Sequence, residues 1–389
     1  MVAIRPTLAA PKTALERLPE EWADVLVSWG EPKFRGIQVF RWIHQRGVFD
    51  PAQMTDLPKS LRERLAKEDL ALPMEVALFH RSSDGTRKML LRLTDGKEVE
   101  SVLIPQGHVG DLAAVPDDED ADVEEPRART PISQCISTQV GCAMGCVFCA
   151  SGVAGLKRHM NAGEIVSQVL LGRARSDEHE RVRNVVFMGM GEPLHNYDAV
   201  ARALVLLTHP EGLALSTRRV TLSTSGLVPQ IDRLGQDFGG QVQLAVSLHA
   251  VDNEKRSALM PINRKHPIEE LMEALRRYPL PKRRRITIEY TLIAGKNDEL
   301  RDADTLSKLL RGIPVKVNLI PMNPVDGSPL AAPDYSGVDA FQERLRSHGV
   351  AAFVRRTRGD DIAAACGQLA LHGEKRRLRV DYSAGGGGS

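Results

Sequence analysis

The spacing of apolar residues along the chain changes from a helical period to a strand-like one. Between about positions 15 and 72, apolar residues recur every three or four positions over three successive segments, as in amphipathic helices. Segments 86–93 and 98–104 are rich in apolar residues and flank an Asp95-Gly96 pair, which is typical of a β-hairpin turn. These patterns predict a small helical region followed by an antiparallel hairpin.

From residue 131 onward, strand-like and helix-like segments alternate. The predicted strands are 183–188, 219–223, 242–247, 285–293, 315–320 and 351–355. The helices predicted between them include 162–175, 199–207, 268–277, 302–310 and 338–347. Such alternation favours a parallel sheet with crossover helices. About six repeats predict an α/β fold with a partial (β/α)6 barrel, although a doubly wound sheet would give the same pattern.

Shifts in composition divide the chain into four regions. We expect a helical accessory domain at 1–75, a β-hairpin linker with an acidic insertion at 76–130, the barrel at 131–380 and a flexible tail at 381–389. Between positions 111 and 125 lie eight carboxylates and no basic residue, which favours a solvated, disordered segment. The tail has the composition of a linker, either native or added.

Composition and charge indicate which classes of protein fit this sequence. The 389 residues are 42% hydrophobic with a formal net charge of +2, and no segment resembles a membrane span or a signal peptide. We therefore expect a cytoplasmic, monomeric protein without a membrane partner. Nucleic-acid binding would depend on local basic runs at 276–285, 355–358 and 375–379. Five cysteines, an odd number, argue against a disulfide framework and for chemically employed thiols.

Three of these cysteines, Cys142, Cys146 and Cys149, are spaced C-x3-C-x2-C. A structural zinc site or an electron-transfer [4Fe–4S] cluster uses four protein ligands, so three thiolates would leave one iron open to a ligand. This spacing resembles that of the radical S-adenosylmethionine (SAM) enzymes, in which the open iron chelates SAM. A zinc knuckle completed by His159 is the alternative interpretation.

Polar residues follow the predicted strands one after another. They lie at 189–193, 223–225, 247–249, 318–323 and 358–361. In β/α barrels the active site is built from the loops at the carboxyl ends of the strands. Each cluster alone would also suit an ordinary turn, but their succession predicts one site at this end of the barrel.

Several motifs together resemble the RlmN/Cfr family of radical SAM RNA adenosine methyltransferases. They are the cysteine motif at 142–149, MGMGEP at 188–193, TLSTSG at 221–226, SLHA at 247–250, RTRGDDI at 356–362 and ACGQL at 365–369. The resemblance extends from the helical region to about residue 371. It implies that the barrel is a radical SAM barrel.

The resemblance also implies roles for individual residues. The [4Fe–4S] ligands would be Cys142, Cys146 and Cys149. The SAM contacts would be Gly191, Glu192, Ser223, Ser247, Leu248, His249 and Asn323. The catalytic residues would be Cys366 as the methylated carrier, Cys135 as the second redox-active thiol, and Glu100 as a proton acceptor, a role that Cys135 could also fill.

The implied reaction methylates an adenosine carbon by using two SAM molecules per turnover. Cys366 takes a methyl group, the methyl becomes a radical and adds to the purine, and Cys135 releases the product with formation of a disulfide. The expected partners are large-subunit ribosomal RNA, with transfer RNA open as a second substrate, and an external electron donor of the flavodoxin or ferredoxin type. C2 is the default target, and residues 150–157 also suit a C8-methylating enzyme.

Two hypotheses from other classes remain open at this point. A radical SAM enzyme that acts on a protein or a small molecule would leave Cys135, Cys366 and the basic runs without a role. A metal-binding RNA adaptor without enzymatic activity would bind zinc and would not cleave SAM.

Overall fold

The computed structural model describes residues 6–106, 129–323, 325, 328–355 and 357–369. The acidic segment predicted at 111–125, the tail at 381–389, Arg356 and the basic run at 375–379 lie outside the described residues.

Twelve strands occur in the part of the chain that the structure describes. They are β1 Met74–Arg81, β2 Arg87–Leu93, β3 Glu98–Pro105, β4 Thr130–Cys135, β5 Gln139–Val140, β6 Arg158–His159, β7 Glu180–Phe187, β8 Val220–Thr224, β9 Gln243–Ser247, β10 Ile286–Leu292, β11 Val315–Pro321 and β12 Ala352–Val354. The hairpin and all six strands predicted after residue 131 are present. Strands β1, β4, β5 and β6 were not predicted from the sequence.

The α-helices of the described ranges fall into an N-terminal group and a group between the parallel strands. The first group is α1 Pro19–Ser28, α2 Arg35–Phe40, which continues as a π-helical turn at Arg41–Gln45, and α3 Lys59–Leu65. The second is α4 Ala150–Ala154, α5 Ala162–Ala174, α6 Tyr197–Thr208, α7 Val228–Phe238, α8 Asn253–Leu259, α9 Ile268–Arg277, α10 Leu300–Leu309 and α11 Tyr335–Ser347.

The order of strands distinguishes a barrel from a doubly wound sheet. Ten strands form one sheet in the order β1-β2-β3-β4-β7-β8-β9-β10-β11-β12, and every pair from β4 to β12 is parallel. A doubly wound sheet reverses its strand order at a switch point, whereas this order follows the chain throughout. Right-handed crossovers then place the helices on one face, as in an open (β/α) barrel.

The hairpin extends the parallel sheet at β4. Strands β1, β2 and β3 pair antiparallel with one another, and β3 pairs antiparallel with β4. In this register Val102 lies opposite Cys135 and Pro105 opposite Ile132. The end of β4, where Cys135 lies, is therefore bordered by the hairpin on one side and by β7 on the other.

The N-terminal helices share the core of the barrel. Trp22 of α1 is fully buried in the main apolar cluster. The Arg202 guanidinium of α6 forms a salt bridge with Glu21 at 2.8 Å and also donates to the Glu16 carbonyl at 2.9 Å. Because Arg202 is itself buried, this contact fixes the helical region against the outer layer of the barrel.

Candidate active site

A cavity lies at the carboxyl ends of the parallel strands, where the sequence predicted the site. The predicted residues that line it are Cys142, Cys146, Cys149, Gly191, Glu192, Ser223, Ser247, His249, Asn323 and Cys366. Three predicted residues are absent from this lining: Cys135, Glu100 and Leu248. The fold thus brings together residues that are more than two hundred positions apart in the sequence.

Glycines shape the loop that carries the three clustered cysteines. Gly141 has φ +76°, and a Cβ there would lie 1.9 Å from the Gly155 carbonyl oxygen. A Cβ on Gly152 would lie 2.9 Å from the Cys146 nitrogen. Any side chain at these two positions would displace the backbone, so the close approach requires glycine.

The donor set suits an iron–sulfur cluster. Partial burial raises the pKa of the Cys142 thiol to about 12 and also raises the pKa values of Cys146 and Cys149, with neighbouring thiols adding to each effect. Bare thiols in this loop would remain protonated, and metal ligation removes those protons. Soft thiolates are the ligands that iron–sulfur clusters use.

The zinc knuckle would need a fourth ligand beside the three cysteines. His159, the proposed fourth ligand, is exposed and its Nδ1 lies 3.0 Å from Gln139 Nε2. His159 does not line the cavity that the three cysteines line.

Glu192 is buried beside the cysteine loop. Its Oε1 accepts from the Leu194 N–H at 3.0 Å and its Oε2 from the Ser225 N–H at 2.7 Å. Burial raises the pKa of this carboxyl, and the hydrogen bonds from Ser225 oppose the rise. Each oxygen retains lone-pair capacity for another donor. The preceding Gly191 has φ +104°, and a Cβ there would lie 2.6 Å from Gln139 Cβ.

The loop after β9 directs polar side chains to the cavity and buries Leu248. Ser247 and His249 line the cavity, while Leu248 is buried and its N–H donates to the Glu289 carbonyl at 3.0 Å. His249 has φ +55°, and its Nδ1 accepts from the Thr291 N–H at 2.9 Å. Burial lowers the pKa of His249 to about 3, so the ring is neutral at physiological pH.

Arg256, which sequence reasoning did not select, connects two of these loops. Its buried guanidinium donates to the Ser225 carbonyl at 2.7 Å and the Ser247 carbonyl at 3.1 Å, and its Nε donates to the Leu248 carbonyl at 3.1 Å. Burial lowers the pKa of Arg256 to about 10. The side chain thereby fixes the loops after β8 and β9 relative to each other.

The Cys366 loop is attached to the cysteine loop and to the hairpin. The Asn323 amide donates to the Cys366 carbonyl at 3.0 Å, and the Ala150 N–H donates to the Gly367 carbonyl at 2.9 Å. On the other side, Lys88 Nζ of β2 donates to the Ala363 carbonyl at 3.2 Å. These contacts hold Cys366 at the cavity wall.

Cys135 lies beside this wall, at the end of β4. All five cysteines are free thiols in the structure. Burial raises the pKa of Cys135 to about 12; Cys366 raises it further, and the Arg355 guanidinium opposes the rise. The two thiols that the resemblance pairs are therefore close enough for Cys366 to affect the pKa of Cys135.

Glu100 lies in β3 and does not line the cavity. It is buried, and its carboxylate forms an ion pair with Lys88 Nζ at 3.0 Å. Lys88 also donates to the backbone of the Cys366 loop. Glu100 is therefore connected to that loop by way of the Lys88 side chain. Its assignment as a proton acceptor stays a prediction.

Sequence reasoning did not select Glu289 or Arg355 as site residues, although both line the cavity. Arg355 had been grouped with basic residues for RNA contact, but its guanidinium contacts Met188 Sδ at 3.9 Å. The Cys366 thiol, as a thiolate, raises the pKa of Arg355 most, and Glu289 raises it further. The available signal was a single charge within the buried strand β10 for Glu289 and a charge directly after the short strand β12 for Arg355.

Two models of known protein families match parts of the chain. Residues 136–306 match the family model of the radical SAM superfamily, and residues 18–70 match the ribosomal RNA large subunit methyltransferase N-terminal domain. Within the described residues, no helix has the length and apolar character needed to cross a membrane.

Relatives cover nearly the whole chain. A dual-specificity RNA methyltransferase RlmN of Sorangium cellulosum is 61% identical over 95% of this chain and 98% of its own length. The RlmN of Anaeromyxobacter dehalogenans is 46% identical over 92% of each chain. The crystal structure of a radical SAM methyltransferase from Sphaerobacter thermophilus has a TM-score of 0.81 at 42% identity, covering 92% of this chain and 99% of that chain. The chain therefore belongs to the RlmN family of radical SAM RNA methyltransferases.

Proposed function

We propose that the protein methylates C2 of an adenosine in large-subunit ribosomal RNA, with transfer RNA as a second substrate. The observation that carries this proposal is the position of Cys366. Its loop is hydrogen-bonded to the loop of Cys142, Cys146 and Cys149, and it lines the same cavity. A carrier thiol beside a three-cysteine site is what methyl transfer through sulfur requires.

The chemistry of the target explains the need for a carrier. Adenine C2 is electron-poor and does not attack a methyl sulfonium as a nucleophile, whereas a thiolate does. The cluster and two SAM molecules, when bound, would supply one methyl group to sulfur and one hydrogen-abstracting radical per turnover. Cys142, Cys146 and Cys149 would hold the cluster. The SAM contacts would be Gly191, Glu192, Ser223, Ser247, Leu248, His249 and Asn323.

Cys366 then carries the one-carbon unit through a covalent adduct. Its thiolate takes the methyl group, and removal of one hydrogen atom leaves a carbon radical on the S-methyl group. That carbon bonds to C2 of the base; one electron would then pass to the oxidised cluster, when it is bound, or to an external acceptor, and loss of the C2 proton restores the aromatic ring. The adduct at this stage joins Cys366 sulfur to the base through a methylene.

Cys135 completes the reaction. Its sulfur attacks Cys366 sulfur and gives up its proton, the sulfur–methylene bond breaks, and the electron pair of that bond goes to the methylene carbon, which takes a proton. The product is methylated RNA and a Cys135–Cys366 disulfide, which an external dithiol reduces. The position of Cys135 beside Cys366, compared with that of Glu100 behind Lys88, supports Cys135 as the acceptor of the C2 proton.

The experiment that tests the function is anaerobic turnover of the iron-loaded protein with cellular RNA, SAM and a flavodoxin or ferredoxin reductant. Mass spectrometry of the nucleosides should show 2-methyladenosine. Formation of 8-methyladenosine instead would assign the C8 reaction. A protein that cleaves SAM but leaves the RNA unchanged would favour a protein or small-molecule substrate. Bound zinc with no SAM cleavage would favour an RNA adaptor.

A further inference from the structure

Glu289 is a buried carboxylate at the cavity wall without a role in the steps above. It is the only acidic residue of β10 and is 4% exposed. Its Oε1 accepts from the Asn318 amide at 3.0 Å. Its Oε2 is also buried and has no hydrogen-bond donor among the described residues. A buried acceptor without a donor is unfavourable, so a ligand that brings a donor would satisfy it.

The sheet register places Glu289 and Arg355 on the same face. Ser247, Glu289, Asn318 and Phe353 lie opposite one another across β9, β10, β11 and β12. Arg355 directly follows β12 and lies two residues beyond Phe353. Its N–H donates to the Leu319 carbonyl at 2.8 Å, which extends the pairing with β11 by one residue, and side chains two apart in an extended chain point to the same side. Both charged groups line the cavity, and Arg355 is close enough to Cys366 and to Glu289 for each to raise its pKa.

The covalent step fixes where the target base must lie. A purine carbon that bonds to the methylene on Cys366 brings the edge of the base next to Arg355 and Glu289. Adenine presents a ring-nitrogen acceptor beside an exocyclic amine donor, and a guanidinium with a carboxylate complements that pair. Guanine presents a carbonyl oxygen in place of the amine, which would face the carboxylate unfavourably.

We propose that Glu289 selects adenine by accepting a hydrogen bond from its exocyclic amine, with Arg355 donating to the adjacent ring nitrogen. This inference rests on the proposed function, because it needs the base beside Cys366. Glu289 is thus a specificity-determining residue that contacts the substrate.

The test compares two RNA oligonucleotides that differ by one amine. One carries adenine at the methylated position, and the other carries unsubstituted purine, whose C2 and C8 remain available. Binding and methylation of each RNA are measured with wild type, Glu289→Ala and Glu289→Gln. The exposed Glu343→Gln serves as a charge-matched control on α11. Iron content and RNA-independent SAM cleavage report whether each variant is correctly assembled.

Wild type should prefer adenine RNA over purine RNA by roughly tenfold to a hundredfold in kcat/KM, as expected for one hydrogen bond to a charged acceptor. In Glu289→Ala this preference should fall to about twofold or less, since the amine then has no partner. Glu289→Gln keeps a carbonyl acceptor and should retain part of the preference, and Glu343→Gln should retain it all. The ratio of RNA dissociation constants gives the same comparison for a variant that does not turn over.

Three outcomes would overturn the inference. Wild type could treat both RNAs equally, a result that needs no variant. Glu289→Ala could keep the full preference for adenine. Alternatively, Glu289→Ala could bind SAM more weakly in the absence of RNA and lose activity equally on both RNAs. That result would mean that Glu289 contacts SAM and not the base. Absence of methylation on adenine RNA by wild type would contradict the proposed function itself, so the two failures are distinguishable.

Discussion

The Ser151 hydroxyl donates to the Leu369 carbonyl at 2.6 Å, across 218 positions of sequence. Ser151 lies two residues after Cys149, and Leu369 lies three after Cys366. This buried hydrogen bond joins the loop of the proposed cluster ligands to the loop of the proposed methyl carrier. Together with the backbone hydrogen bond from the Ala150 N–H to the Gly367 carbonyl, this side chain fixes the relative position of the two loops.

Replacing Ser151 with Ala should weaken the attachment between the two loops, which would keep only the Ala150–Gly367 backbone hydrogen bond, while leaving the cysteine ligands in place. The Leu369 carbonyl would lose its buried donor, at a cost of about 1–3 kcal/mol to the docked loop. We expect normal iron content and SAM cleavage with a roughly tenfold or larger drop in RNA methylation. Ser151→Thr, which keeps the hydroxyl, is the matched control. Equal losses of iron and of methylation would show that Ser151 acts on the cysteine loop alone.

Replacing Cys142, Cys146 or Cys149 with Ala should abolish SAM cleavage. Two thiolates would not hold a cubane with one open iron, so iron and sulfide content should fall and no 5′-deoxyadenosine should form. Cys366 should also lack its methyl group if both SAM reactions use one pocket. Production of 5′-deoxyadenosine by the triple variant after iron reconstitution would refute the assignment.

The two remaining cysteines should give opposite phenotypes. Cys366→Ala should bind iron and SAM but form no covalent RNA, because the carrier is missing. Cys135→Ala should load Cys366 and attack the base yet fail to release it, so a nuclease-sensitive protein–RNA adduct should accumulate on a denaturing gel. Repeated turnover by Cys135→Ala would make Cys135 a structural residue.

Gly191→Ala should impair the site far more than another glycine replacement at a positive φ. At Gly191 the new Cβ would lie 2.6 Å from Gln139 Cβ, whereas Gly312, with φ +79°, has no atom within 4 Å of its ideal Cβ. Both substitutions add about 1–2 kcal/mol of backbone strain, but only the first displaces the loop of Glu192. SAM cleavage should fall at least tenfold in Gly191→Ala, and equal activity of the two variants would contradict this.

Acid should destabilise the helical region through His44. Burial lowers its pKa to about 3 from the ordinary 6.5, so the folded state binds fewer protons than the unfolded state between these values. The stabilisation is complete above pH 6.5 and is lost as pH falls toward 3. From pH 7 to pH 5 the loss should be about 2 kcal/mol. Denaturant unfolding followed by tryptophan fluorescence reports this region, because all three tryptophans lie between residues 22 and 42.

His44→Leu should remove that part of the pH dependence. The exposed His80→Leu is the control, and its unfolding free energy should change with pH as in wild type. If His44→Leu lost as much stability between pH 7 and pH 5 as wild type does, another group would be responsible.

The spacing of apolar residues predicted those helices and strands in which buried residues recur at a regular interval. The helix predicted at 268–277 matches α9, because its apolar residues share one face. Strand β4 was not assigned, since Thr130–Cys135 contains Pro131 and three polar residues that are partly or fully buried by tertiary contacts. Those contacts, such as the hydrogen bond from Ser101 Oγ to the Cys135 carbonyl, are non-local and leave no local pattern.

The site shows the same division. Cys142, Glu192 and His249 lie in loops, where the residues of a functional motif differ from the residues that an ordinary turn requires. Glu289 and Arg355 lie in or next to strands, and their proximity depends on the pairing of β10, β11 and β12. The alternation of residues along a strand could suggest on which face of the sheet Glu289 and Arg355 lie. It could not show that both line the same cavity.

The pairing of Pro105 with Ile132 closes the chain segment between β3 and β4 at its base. The position of Cys135 is therefore set by the ladder and does not depend on how many residues separate the two strands. For a flexible connection, doubling its length costs only about 0.6 kcal/mol of loop-closure entropy. The ladder between β3 and β4 would therefore hold Cys135 in place if a reporter peptide or an affinity tag were inserted between the two strands.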